Sequence, residues 1–523
     1  MVNWAQKAAL ALALLGCGAA LPVTAGWLTS GPLAQVPDAT APANPGFDPA
    51  IPFGRHGALS AQERAMAETA WSYFVEAYQP DTGLVNAVGS FPSATMWDTA
   101  SYLSALVSAH ELGVIDRSEF DRRATKILAT LRGLKLSQGK LPNKAYNTKT
   151  GERVDYANKP GELGTSALDI GRLLIWLKII KERYPYLSNE VDNVVLRWNF
   201  CDAISADGQL FGTTVGQDGK VTAFQEGRLG YEEYSAKGFG LWGFDTSEAS
   251  KAEPYQFVPI EGVDVPADGR DPRVFHSQNY VVSEGYILDG LELGWDLPGD
   301  RSGQPGIASD GWRADFASRI YQVQENRYSD TGILTARSEH QVEGAPFFVY
   351  DAIFADGYAW NTLDPAQGYA PDRAAVSSKA AIGMWALWNT PYSQMLFDHV
   401  ANQSEAGKGF DEGVYENGSG PIPLQTANNN GIILAALLYK VQGPILQYHN
   451  DQPQMWDLAG AGTGQRKARC QPEPQVAAQA APALPAPAKC PEGGLDPALA
   501  ATAYCRPAAA PRLRRRGPVL SKE

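Results

Sequence analysis

The chain has 523 residues, 44% of them hydrophobic and 19% charged, with a formal net charge of −13 and six histidines. That length and apolar share suffice for a large packed core, while the acidic balance opposes nucleic acid and, more weakly, polyanionic sugars such as alginate or pectin. No HExxH or paired-thiolate spacing occurs, so no metal site and no cofactor are expected, and a neutral substrate fits best.

Residues 1–25 place Lys7 before an apolar run that ends in Val23-Thr24-Ala25, a small-residue cleavage site. A cleaved export signal is expected first, an uncut membrane tether second, and a lipoprotein anchored at Cys17 third. The expected location is therefore the periplasm or cell envelope. Residues 26–58 read as a Pro/Ala-rich spacer, and residues 451–523 as a disordered Pro/Ala-rich tail that closes in a basic cluster. After cleavage Cys201, Cys470, Cys490 and Cys505 remain, and one disulfide within the tail is expected.

Residues 59–450 carry amphipathic helices in pairs. A more charged set is expected at 60–79, 117–133, 188–204, 311–328 and 392–404. A second set, rich in Gly, Ala, Ser, Trp and Leu, is expected at 95–112, 163–183, 230–242, 276–295, 373–390 and 425–441. The connecting stretches "DTGLVNA", "SQGKLPNKAYN", "ADGQLFGTT", "DTGILTA" and "DEGVYENG" each set a glycine in a sharp turn before a short extended run. Six small-residue helices ringed by polar ones predict an all-α fold, an (α/α)6 toroid with short β-hairpins on one rim. That rim, where the inner helices begin, should carry the site.

The first inner helix opens with "SATMWDTASYLSALVSAHELG". Thr95 or Ser93 can cap it, and Asp98 falls in its first turn, where an acid also suits the helix dipole. Trp97 beside it offers a flat face to a pyranose ring. The third, "GRLGYEEYSAKGFGLWGFD", holds Glu232 and Glu233, with Tyr231 and Trp242 as further aromatic surfaces. Neighbouring helical residues point about 100° apart. Glu233 can pair with Lys237 one turn on, whereas Glu232 shares a stripe with Ala236, Phe239 and Gly243, so spacing favours Glu232 as the buried acid.

The fourth brings Glu284 with His276, Gln278 and Tyr280 as sugar contacts. "FFVYDAIFADGYAW" supplies Asp351, "GVYENG" supplies Glu416, and the amide-rich "TANNN" supplies Asn428, all candidates for binding hydroxyls.

"MWDTASYLSALVSAHELG", "LPNKAYN", "SALDIGRLL", "YEEYSAKGFGLWG", "SEGYILDGLELG" and "GVYENG…TANNNGIILAALLYK" occur in that order. Together they resemble the bacterial domain-of-unknown-function family 3131 over about residues 65–445. That family looks like a relative of the glucoamylase-like domains of cyclic β-1,2-glucan synthases and of bacterial β-1,2-glucanases. The resemblance implies an (α/α)6 barrel with a carbohydrate site and a link to exopolysaccharide or envelope biology, and alignment to the relatives' Gly-x-Ser-acid pattern places the acid at Glu233.

The reading that follows is an exported glycoside hydrolase or transglycosylase acting on a neutral β-glucan or exopolysaccharide. Glu232 or Glu233 would be the general acid and Asp98 or Glu284 the partner base. Trp97, Tyr231, Trp242, His276, Tyr280, Asp351, Glu416 and Asn428 would bind substrate. The alternative is a non-catalytic glycan-binding or scaffold protein of envelope polysaccharide biogenesis.

Overall fold

Capping side chains set where the inner helices begin. Thr95 accepts from the amide of Asp98, whose carboxylate bonds back to the Thr95 backbone; Ser166 accepts from the amide of Asp169, and Thr426 from that of Asn429. The structure, a computed structural model, describes residues 54–270, 280–295, 311–366, 368–446 and 467–472.

Eleven α-helices lie among the described residues: α1 (Ala61–Glu76), α2 (Met96–Glu111), α3 (Arg117–Gly133), α4 (Ala167–Arg183), α5 (Ser188–Val195), α6 (Glu232–Gly240), α7 (Glu284–Leu293), α8 (Trp312–Thr331), α9 (Ser378–Leu387), α10 (Pro391–Val400) and α11 (Ala427–Gln442). The small-residue helices contact one another in cyclic succession, α2 on α4, α4 on α6, α6 on α7, α7 on α9, α9 on α11 and α11 on α2. The charged helices back them: α1 lies on α2 and α11, α3 on α2, α5 on α4, α8 on α7 and α10 on α9. Between α6 and α7 a β-hairpin, Tyr255–Ile260 with Val263–Asp268, packs against α8.

The small residues have a steric cause. A Cβ on Gly238 of α6 would lie 2.0 Å from the carbonyl oxygen of Gly171 on α4, so these two backbones meet only because neither carries a side chain. The core is apolar and continuous across these helices, with Leu103, Leu106, Leu174, Trp176, Phe239, Leu288, Ile382 and Leu434 all buried.

The connecting stretches fold into strand pairs. Ser93–Thr95 pairs with Ala145–Asn147, Phe211–Val215 with Val221–Gln225, and Ala375–Ser377 with Gly413–Tyr415. Several helices are shorter than the periodicity predicts, the run expected from 276, for example, starting only at Glu284. The run expected from 373 starts at Ser378 because Ala375–Ser377 is drawn into a sheet, and the run expected to reach 204 stops at Val195.

The chain then turns through a 3-10 helix, Phe200–Asp202, against which residues 467–472 dock. Cys201 is disulfide-bonded to Cys470 there, so the expected bridge within the tail is replaced, for Cys470, by one that joins tail to body. The docked segment is fixed by backbone and side-chain bonds as well: Phe200 N donates to Arg469 O at 2.9 Å, and Arg469 Nη1 donates to Leu196 O at 2.8 Å. The predicted export signal lies outside the described residues, as do Cys490, Cys505, His276 and Gln278.

Candidate active site

The first turns of the inner helices bring together Trp97 and Asp98 (α2), Asp169 (α4), Glu284 (α7), Lys379 (α9) and Asn428 (α11). Glu284 is the hub. Its Oε1 accepts from Trp97 Nε1 at 3.0 Å and from Asn428 Nδ2 at 2.7 Å, and its Oε2 pairs with Lys379 Nζ at 2.6 Å. Burial alone would raise its pKa, but Lys379, Arg172 and these hydrogen bonds outweigh burial and hold the carboxyl below its ordinary range. Glu284 is thus ionised, 4% exposed and bonded through both oxygens.

Trp97 is fixed on two sides. Its indole nitrogen is tied to Glu284, and the guanidinium of the buried Arg172 lies 4.5 Å from its ring centre. Arg172 Nη1 also donates to Asn428 Oδ1 at 2.9 Å, and Ser101 Oγ donates to the same oxygen at 3.0 Å. The Tyr231 ring stands 5.7 Å from that of Trp97 at a 42° tilt. The result is a half-buried aromatic surface with a tyrosine beside it.

Two acids remain half-buried with an oxygen to spare. Asp98 Oδ2 accepts from Thr95 N at 3.0 Å and Thr95 Oγ1 at 2.7 Å, while Oδ1 has no hydrogen-bond partner among the described residues. Asp169 Oδ1 accepts from Ser166 Oγ at 3.3 Å, and Oδ2 likewise has no partner among the described residues. Burial, then the negative charges of Glu226 and Asp98, push the Asp169 carboxyl up to about 7; Lys144 and Ser166 oppose the rise. Burial also raises Asp98, but the Thr95 bonds and the Arg172 charge resist it. Both carboxyls are therefore raised by burial, and the two interact electrostatically.

Glu232 and Glu233 sit elsewhere. Both are 2% exposed, so the expected division into one buried and one surface glutamate is absent. The predicted partner of Glu233 is also different, because Lys237 pairs with Asp289 at 2.6 Å. Glu232 accepts from Leu210 N at 3.0 Å and Gln225 Nε2 at 2.9 Å. Glu233 accepts from Gly230 N at 2.7 Å and Glu253 N at 3.1 Å. Burial first, then the nearby Glu253, push both carboxyls upward, so they are held protonated in a buried cluster with Glu253, itself paired to Arg270 at 3.1 Å.

Other sequence candidates take structural positions. Trp242 is fully buried and donates to Leu174 O at 3.0 Å. Asp351 is fully buried and accepts from Arg337, from Thr362 Oγ1 at 2.7 Å and from Ala375 N at 2.8 Å. Glu416 is clamped by Arg327 and Arg337 at 3.0 and 2.8 Å. Tyr231 donates to Glu339 Oε1 at 3.0 Å, and Tyr280 packs edge-on against Tyr350 at 5.1 Å, 3% exposed.

Asp169, Glu226, Arg172 and Lys379 are the residues that the sequence reading did not single out. For Asp169 a signal existed: Ser166-Ala-Leu-Asp169 repeats the spacing of Thr95-Met-Trp-Asp98 at the start of another inner helix.

Residues 65–443 match the family described as "Protein of unknown function (DUF3131)". No curated protein matches the chain. The fold is similar to that of a provisionally assigned glucoamylase from Bacteroides fragilis, at 12% identity over 76% of this chain and 96% of that one, with a TM-score of 0.54. It is also similar to an endo-β-1,2-glucanase from Chitinophaga pinensis, solved with sophorotriose and glucose, at 13% identity over 76% and 97% of the two chains and a TM-score of 0.53. A β-1,2-glucanase from Parabacteroides distasonis gives 13% identity, 78% and 60% coverage and a TM-score of 0.52. At these identities the likeness carries the fold alone.

Proposed function

The chain belongs to the DUF3131 family of proteins of unknown function, and from the shared fold and two open aspartates we propose that it is a glycoside hydrolase acting on a glucan. The carrying observation is that Asp98 and Asp169 open two inner helices at the same capping position, are half-buried, and each keep one oxygen without a hydrogen-bond partner among the described residues. Hydrolysis needs one carboxyl that is protonated and one that is ionised, set apart by environment. Asp169, pushed up to about 7, would donate its proton to the leaving glycosidic oxygen. Asp98, which burial raises but the Thr95 bonds and Arg172 hold back, would take a proton from the attacking water. Trp97 would support a sugar ring.

The cyclic contacts of the inner helices support a toroid, whose strand-paired loops would gather on the rim where those helices start. Export to an oxidising compartment is part of the same reading and is supported by the Cys201–Cys470 bridge. The substrates named for the structurally similar glucanases make β-1,2-glucan the first to try.

The test is reducing-end release from β-1,2-, β-1,3- and β-1,4-glucans and bacterial exopolysaccharides by the full chain, with Asp98→Asn and Asp169→Asn alongside. Turnover that falls at least about 100-fold in both variants supports the assignment. Undiminished turnover in Asp169→Asn rejects it, and glycan binding without turnover in any protein favours a binding role.

A further inference from the structure

Glu226 follows the strand Val221–Gln225 and sends its side chain across to a different element. Its Oε2 accepts from Ser166 Oγ at 3.2 Å, from Leu168 N at 3.2 Å and from Ala167 N, the first amides of α4. Those amides are among the donors that a helix leaves without intrahelical partners, so a carboxylate there suits both hydrogen bonding and the helix dipole. Oε1 has no hydrogen-bond partner among the described residues.

The seat is built. A Cβ on Gly212 would lie 2.5 Å from Glu226 Cδ and Oε1, so a larger residue there would displace the carboxyl from this position. The hairpin is in turn locked to the segment before α4: Thr213 N donates to Thr165 O at 2.9 Å and Thr165 N to Thr213 Oγ1 at 3.0 Å. Asp169 begins the same helical turn, on Ser166.

We propose that Glu226 is a positioning residue for Asp169: seated between Gly212 and the first turn of α4, and meeting Asp169 at Ser166 Oγ, its carboxyl sets the place and surroundings of the candidate general acid. The inference rests on the hydrolase reading for its purpose, not for its geometry. Three ionisable groups act on Asp169 from other elements, namely Glu226, Asp98 on α2 and Lys144 in the loop before Ala145. Glu226 is the larger of the two anionic influences; burial raises its own carboxyl, which Lys144 and the α4 amides draw back down. Like charge nearby disfavours ionisation, which is the direction the arrangement requires.

The experiment is an NMR titration of carboxyl-labelled aspartates in the full chain, with the Asp169 signal identified by its loss in Asp169→Asn. Glu226→Gln keeps an oxygen for the α4 amides but removes the charge. The Asp169 midpoint is expected to fall by about one pH unit, and the alkaline limb of any glucan turnover to move with it. Gly212→Ala, which pushes the Glu226 carboxyl out of its seat, should move the midpoint in the same direction and serves if Glu226→Gln does not fold. Lys144→Met should move it the opposite way. An unchanged midpoint in folded Glu226→Gln or Gly212→Ala overturns the role. Retained turnover in Asp169→Asn would instead sink the assignment of Asp169 as general acid while leaving the titration result standing.

Discussion

Trp97 Nε1 donates to Glu284 Oε1 at 3.0 Å, joining α2 to α7 through a carboxylate that α9 and α11 also hold, by way of Lys379 and Asn428. An acid with both oxygens engaged is a poor proton shuttle and a good brace. Its role is to orient the indole, and that has a measurable consequence.

Glu284→Gln should leave Lys379 buried without its counter-charge, a loss of about 3–5 kcal/mol. We expect a lower melting temperature together with a KM for glucan that rises more than kcat falls. A shifted pH profile with unchanged KM would point to direct proton transfer by Glu284.

Asp169 should make the folded chain more stable in acid than in mild alkali. Its carboxyl binds a proton near pH 3.8 ordinarily and near 7 in the folded state, through burial and then Glu226 and Asp98. Between those values the folded chain holds the extra proton, so the stability linked to this group is present below about pH 4 and is lost as pH rises through 7. Asp169→Asn should therefore melt about 2–4 °C above the parent at pH 8 and converge with it toward pH 4. Equal melting curves at pH 8 would contradict the raised pKa.

Glu232→Gln and Glu233→Gln are expected to retain turnover within a few-fold, because Glu232 is buried against Leu210, Gln225 and Glu253, and Glu233 against Gly230 and Glu253. Burial and Glu253 raise both carboxyls, so neutral glutamine should cost least, and even stabilise, above pH 7. Loss of activity in one variant, with its melting temperature intact, would return the general acid to this pair.

Reduction of Cys201–Cys470 should lower stability by about 2–5 kcal/mol and release residues 467–472 to proteolysis. The check is thermal melting and limited proteolysis with and without reductant. Resistance that survives reduction would mean that the hydrogen bonds from Arg469 and Gln471 hold the segment unaided.

The inner helices were legible because close packing imposes a composition: Gly171 against Gly238 and Gly431 against Ser101 leave no space for side chains, and the sequence records that as a small-residue stripe. Asp98 was legible for a similar reason, since a capping box is written within four residues. The Glu232-Glu233 pair was legible only in part: aromatic neighbours report burial but not the cluster with Glu253 that both side chains join. Glu226 was beyond reach. Its partners lie about sixty residues away, across a hairpin whose docking no local pattern encodes.

The 269-residue separation closed by Cys201 and Cys470 has a topological consequence. Glu284, Lys379 and Asn428 fall inside the covalent loop, whereas Trp97, Asp98 and Asp169 precede it. A single proteolytic nick between residues 202 and 283 would leave the pieces linked as one species on an unreduced gel and as two after reduction, with the halves of the site on separate fragments.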